Sequence, residues 1–298
     1  HGLLRRQRQM CIRDRNATLS RQYDGTATSA GSDFSSFDAL QGGETLTMSG
    51  SGTAASVNVA NGIAMSSNGD LGLVDGTGLA SNYSLNSTVI NITQRVLNSS
   101  GSKIYDANTN ALAADITLSN LVSGETLNHS GTATLSSANA GSYTISNLTG
   151  ISIADNAGLA SNYTLTGGTH NFTVNPKVVS IQGNKTYDGN TTINTSDITA
   201  IVDTVGSETL VMSSGTGTTS SPNAATYASA GINEGSLTLG DGTGLASNYT
   251  LTGHAASSFQ VTQAPVTLSG SKTYDSTTTV SSSNLTVASG LIGSETLV

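Results

Sequence analysis

Apolar residues along this chain come in short runs at alternate positions, broken every few residues by Gly, Asn, Asp or Ser. The clearest stretch, 94–175, predicts strands at Val96–Asn98, Ile116–Ser119, Glu125–His129, Thr132–Ser136, Ser142–Ile145, Gly150–Ala154, Tyr163–Thr166 and Asn171–Val174. Short strands at such close, regular spacing are the signature of a β-sandwich. Ahead of them, Glu44–Met48 reads as a strand, Ser56–Val59 alternates, and Val89, Ile90 and Ile92 form a closing strand. Asp24-Gly25 is a turn pair, and Asp75-Gly76-Thr77-Gly78 makes a tight turn. The expected fold is all-β: a tandem array of small Ig-like β-sandwich domains, with β-grasp-like units as the alternative.

The array follows from repetition. The hexapeptide GLASNY occurs at Gly78–Tyr83, Gly158–Tyr163 and Gly244–Tyr249. A Tyr-Asp pair recurs at Tyr23-Asp24, Tyr105-Asp106, Tyr187-Asp188 and Tyr274-Asp275, and a Glu-Thr-Leu element starts at Glu44, Glu125, Glu208 and Glu295. From each Asp to the following Glu is 19 or 20 residues, whereas successive Tyr-Asp pairs are 82, 82 and 87 apart, so spacing inside the unit is held more tightly. All nine tyrosines fall in three slots: Tyr-Asp, Ser-Asn-Tyr, and a third at Tyr143 and Tyr227. So regular an amphipathic residue reads as a core anchor with its hydroxyl tied to a backbone group. The motif residues are thus Tyr23, Asp24, Tyr105, Asp106, Tyr187, Asp188, Tyr274 and Asp275 at one end, and Asn82, Tyr83, Asn162, Tyr163, Asn248 and Tyr249 at the other. The units expected are 16–93, 94–175, 176–263 and a truncated 264–298. Short joints stiffened by Pro176 and Pro265 predict a monomeric rod rather than beads on a string.

Composition sharpens this reading. Aromatics are 4% of the chain and Trp is absent, so each core must be small. The first fifteen residues, HGLLRRQRQMCIRDR, hold five of the eleven basic residues and the one cysteine. They resemble translated adapter sequence and are set aside as a non-native scar under which the opening strand of the first unit is lost. The remainder carries 6 Lys and Arg against 18 Asp and Glu. Such acidity argues against nucleic acid and anionic lipid as partners. No apolar run is long enough to span a bilayer, so no membrane insertion is expected within this stretch.

The Lys-x-Tyr-Asp-Gly/Ala/Ser start, the Gly-Ser-Glu-Thr-Leu middle and the Gly-Leu-Ala-Ser-Asn-Tyr-Thr-Leu end together resemble the YDG-type repeat domain of bacterial filamentous-haemagglutinin-like surface adhesins. The resemblance covers nearly all of Asn16–Val298. Departures are Arg21 for Lys, and Ala107 and Ser276 for the glycine after Tyr-Asp, which put the form of that turn in question. The resemblance implies secretion to the bacterial cell surface and a stalk or spacer role. A host or biofilm surface would then be met through regions outside this stretch.

Candidate chemistry is sparse. Asp75, Asp155 and Asp241 precede the hexapeptide and Asp24, Asp106 and Asp188 follow a tyrosine. A calcium site needs six to eight converging oxygens, and these aspartates read instead as closing Asx-turns. Lys103, Lys185 and Lys272 recur before Tyr-Asp; an isopeptide bond to Asn162 or Asn248 is weighed against a solvated lysine covering apolar surface with its stem. His129, His170 and His254 occupy unrelated slots, with no recurring serine or carboxylate to form a triad. No enzyme, catalytic residue, cofactor or metal is expected. Two functions compete: a stalk that projects a distal binding region, and repeats that themselves bind host or environmental glycans. Buried tyrosines favour the first and exposed rings the second.

Overall fold

The computed structural model describes residues 13–38, 40–145 and 148–297, with side chains from Asn16 onward. The adapter assignment for 1–15 therefore falls outside the described residues up to residue 12 and concerns only backbone thereafter. The protein is all-β: among the described residues the helical elements are three-residue 3-10 turns. Contacts divide it into two compact units, one of residues up to 101 with 110–135 and 143–172, the other of 102–109, 136–142 and 173–298.

The third repeat, in the second unit, shows the design most plainly. A mixed four-stranded sheet runs in the order Ile198–Val202, Ser180–Thr186, Ser258–Thr262, Ala225–Ala228. Its central pair, the first and last long strands of the repeat, is parallel, with Gly183 opposite Phe259 and Lys185 opposite Val261. Alternation sets the inner face: Ile181, Phe259 and Val261 are buried. A second sheet pairs Thr192–Asn194, Thr216–Thr219 and Ile232–Asn233, and a two-stranded antiparallel sheet pairs Leu210–Ser214 with Thr238–Asp241. The parallel first-to-last pair is a feature shared with β-grasp sheets, but no α-helix accompanies it among the described residues.

The first repeat, in the other unit, joins six of its strands into one sheet and pairs Leu46–Ser49 with Gly72–Asp75 apart from it. Its opening strand is present, not lost: Arg13–Gln22 pairs in parallel with Tyr83–Thr93, and Ala17 and Leu19 are buried against Ile90 and Ile92 in one core. The alternation of Ala17 and Leu19 suffices to specify that strand. Backbone register repeats as well: Arg13 lies opposite Tyr83, Arg95 opposite Tyr163, and Lys177 opposite Tyr249.

Three expectations change. Ser56–Val59 is a loop, because Ser56 Oγ accepts the Asn58 N–H at 3.1 Å and turns the chain. Residues 125–136 form one strand, Asn128–Thr134, rather than two. The third repeat is the longest by the Tyr-Asp spacing, and its stretch 222–235, which reads from sequence as a longer loop, instead contains a strand: Ala225–Ala228 completes the large sheet against Ser258–Thr262. Past Val261 no described residue is buried; the hairpin of Thr267–Gly270 with Leu285–Ser289 stands without a core of its own.

Candidate functional site: tyrosine–glutamate joints

Each GLASNY segment is a socket. An aspartate starts it: Oδ1 of Asp75, Asp155 and Asp241 accepts the N–H of Ala80, Ala160 and Ala246 at 2.7 Å and fixes the 3-10 turn over Ala-Ser-Asn. The first glycine is dictated by close approach. A Cβ on Gly158 would lie 2.5 Å from Glu125 Oε2, and one on Gly244 the same distance from Glu208 Oε2. The Glu-Thr-Leu glutamate therefore packs flat on that glycine and faces the tyrosine five residues on.

The second and third sockets are filled by the preceding repeat. Tyr163 donates to Glu125 Oε2 at 2.6 Å, and Tyr23 from the first repeat donates to Glu125 Oε1 at 2.5 Å. The rings meet edge to face, centroids 5.4 Å apart. Tyr163 also accepts the Val122 N–H at 3.0 Å. Beside them Asn162, 1% exposed, accepts the N–H of Val59 at 2.9 Å and donates to Asn58 Oδ1 at 3.0 Å. The Ser56–Val59 loop is thus an arm that reaches the next repeat.

The same constellation recurs in the other unit. Tyr105 and Tyr249 donate to Glu208 at 2.7 and 2.5 Å, their centroids are again 5.4 Å apart, and Val205 N–H reaches the Tyr249 hydroxyl at 3.0 Å. Asn248 accepts from Ala140 N at 2.7 Å and donates to Asn139 at 3.0 Å. Tyr187 donates to Glu295. Tyr23, Tyr105, Tyr163 and Tyr249 are core anchors, but their hydroxyls are tied to a glutamate rather than to backbone alone: Tyr23 and Tyr105 to that of the next repeat, Tyr163 and Tyr249 to that of their own. Cores follow: Leu97, Leu127 and Tyr163 belong to the same cluster as Leu19, Tyr23 and Ile90.

Electrostatics fit this arrangement. Burial, then the hydrogen bond to a carboxylate, pushes the phenols of Tyr105 and Tyr163 up to about 12. The same causes raise Tyr23 and Tyr249. Both favour the neutral, donating phenol.

A cationic clip shapes each Tyr-Asp loop. Lys185 Nζ donates to Asp188 Oδ1, Asn190 O, Asn190 Oδ1 and Thr192 O at 2.8–3.1 Å. Lys103 and Lys272 repeat the pattern, and Arg21 serves Asp24 and Thr26 in the first repeat. The side chains of Lys103 and Lys185 are 8% and 6% exposed and that of Lys272 22%, so they are caged by turn carbonyls rather than solvated stems. Burial works to raise the Asp106 and Asp188 carboxyls, but the lysine and the backbone amide two residues on outweigh it and lower them. Those amide bonds are Asx-turns: Asp24, Asp106, Asp188 and Asp275 each accept the N–H two residues later. The next residue is left-handed in all four loops: Gly25, Ala107, Gly189 and Ser276 have φ of 76°, 62°, 76° and 63°. Ala107 and Ser276 keep the turn and bear its cost.

Tyr83 donates to Glu44 of its own repeat and Asn82 is half-buried, whereas Tyr274 is 88% exposed. Elsewhere, Ser99 and His170 meet at 3.0 Å, both buried; His170 Nε2 faces the Leu165 carbonyl, so Nδ1 accepts the serine proton. No group of three or more His, Cys, Asp or Glu is placed to hold a metal among the described residues. No helix among them is long and apolar enough to cross a membrane.

Among known families, the model of the YDG domain matches residues 7–90 and 91–173, more than half of the chain. No curated protein and no solved structure matches it.

Proposed function

The chain belongs to the YDG domain family, and we propose that its repeats are the stalk of a secreted bacterial surface adhesin, projecting a distal binding region from the cell. The observation that carries this reading is where the aromatic surface goes. Tyr23, Tyr83, Tyr105, Tyr163 and Tyr249 are all buried, and four of them are spent holding one repeat to the next. A glycan-binding repeat needs exposed rings on a face; a spacer needs interfaces that keep neighbours in register. A carboxylate shared by two phenols, an asparagine arm and a common core supply that register. Coupling through neighbours is also how repeat arrays gain stability beyond that of one unit.

Antibodies against this chain are expected to label intact cells of the bacterium that encodes it; labelling only after lysis would overturn the surface reading. The purified chain is expected to pass a panel of host glycans unretained. Specific retention that is lost on removing a tyrosine would turn the reading to the glycan-binding alternative.

A further inference from the structure

We propose that the leading face of the first repeat is itself a socket, whose occupant is the trailing face of another complete repeat of this family. This rests on the array reading above and adds the partner of one named face. The filled joints define what each side supplies. The socket gives a glutamate, a Ser-Asn-Tyr tyrosine and an asparagine amide. The plug gives a Tyr-Asp tyrosine and a second loop with an asparagine and a free N–H, as in Asn58-Val59 and Asn139-Ala140.

The first repeat has every socket part in place. Tyr83 donates to Glu44 Oε2, and Gln41 N–H reaches the Tyr83 hydroxyl at 3.5 Å, as the Val122 and Val205 amides do in the filled joints. A Cβ on Gly78 would lie 2.8 Å from Glu44 Oε2, so the carboxylate is seated as in its counterparts. The groups that the plug would satisfy stand open among the described residues. Glu44 Oε1 makes no hydrogen bond there, where the counterpart oxygens of Glu125 and Glu208 accept Tyr23 and Tyr105. The Asn82 amide makes none and is half-buried, where Asn162 and Asn248 are 1% exposed and doubly bonded. Arg13 lies opposite Tyr83 in the register used by Arg95 and Lys177, so a preceding chain would enter at the equivalent place. Two lip residues differ: Val122, against which Gly25 of the plug packs, is Gln41 here, and Ser123 is Gly42. That polar lip makes this joint weaker than the other two. A lone tyrosine loop would leave Asn82 unsatisfied, so the occupant is a whole repeat.

The test extends the chain. Residues 1–11 are replaced by a second copy of residues 94–175, so that its last residue meets Ile12 as Asn175 meets Pro176. Hydrogen exchange of the Gln41 and Gly78–Tyr83 amides is expected to slow at least tenfold. Tyr105→Ala in the added copy alone should restore the parent rates. Parent rates beside a folded added copy would overturn the proposal. A second variant needs no added copy: Val122→Gln with Ser123→Gly gives the existing second-repeat socket the sequence of the first. Retained protection of Tyr23 and Val59 supports the proposal; their release to the exchange rate of an open loop overturns it. Neither outcome bears on cell-surface labelling, which judges the stalk reading separately.

Discussion

Replacing Tyr163 with Phe isolates the hydroxyl at the centre of the first joint. The ring, its burial and its edge-to-face contact with Tyr23 are kept. Two bonds go: the one donated to Glu125 at 2.6 Å and the one accepted from Val122 N–H at 3.0 Å. A hydrogen bond to a charged group contributes about 1.5–3 kcal/mol, and a stranded buried N–H costs about 1–3 kcal/mol. The two share one site and are not additive, so about 3 kcal/mol is expected. The assay is denaturant unfolding at constant m-value, with Tyr227→Phe as the control. Tyr227 donates to the Asn223 carbonyl at an exposed position, and its loss should stay within about 1 kcal/mol. Tyr163→Ala, which also removes the ring, should cost about 3–5 kcal/mol. A Tyr163→Phe cost no larger than that of Tyr227→Phe would refute the reasoning.

Three further outcomes follow from the joints and their clips. The phenols of Tyr105 and Tyr163 are raised from 10.0 to about 12, so their contribution is complete below pH 10 and is lost as pH climbs through about 12. Spectrophotometric titration should show these two phenols, with Tyr23 and Tyr249 also raised, ionising late and together with loss of structure; all tyrosines titrating near 10 would contradict it. Ala107→Gly relieves a left-handed alanine at φ 62° and should stabilise by about 1 kcal/mol in thermal melts, whereas Gly189→Ala, at φ 76°, should destabilise by a similar amount. Lys185→Met strands the Asn190 and Thr192 carbonyls and should cost about 2 kcal/mol, while Lys185→Arg, by analogy with Arg21, should retain most of the stability; equal losses would show that the clip is incidental.

Much of the local design was legible because it is written at short range. Ile116–Ser119 is a strand where the alternation places it, and the closing strand around Ile90 and Ile92 is where expected. The Asx-turns at Asp106 and Asp188 need only neighbouring residues. What the sequence hid lies at long range. Tyr23 and Glu125 are 102 residues apart, as Val59 and Asn162 are 103, and nothing in either motif names its partner. Ser56–Val59 alternates like a strand, yet Val59 directs its N–H to the Asn162 of another repeat instead of to a ladder. Lys185 reads as a solvated lysine because its cage is made of backbone carbonyls, which carry no sequence signal. The shared core was hidden for the same reason: that of the first repeat runs into Leu97, Leu127 and Tyr163.

The central claim is that neighbouring repeats hold each other's structure through these joints. It is tested most directly by Tyr23→Ala in the first repeat, followed by native-state hydrogen exchange in the second. If the account holds, the Val122, Leu127 and Asn162 amides lose protection although no residue of their own repeat has changed. Unchanged protection there, with loss confined to residues 16–93, would show independent domains that merely touch.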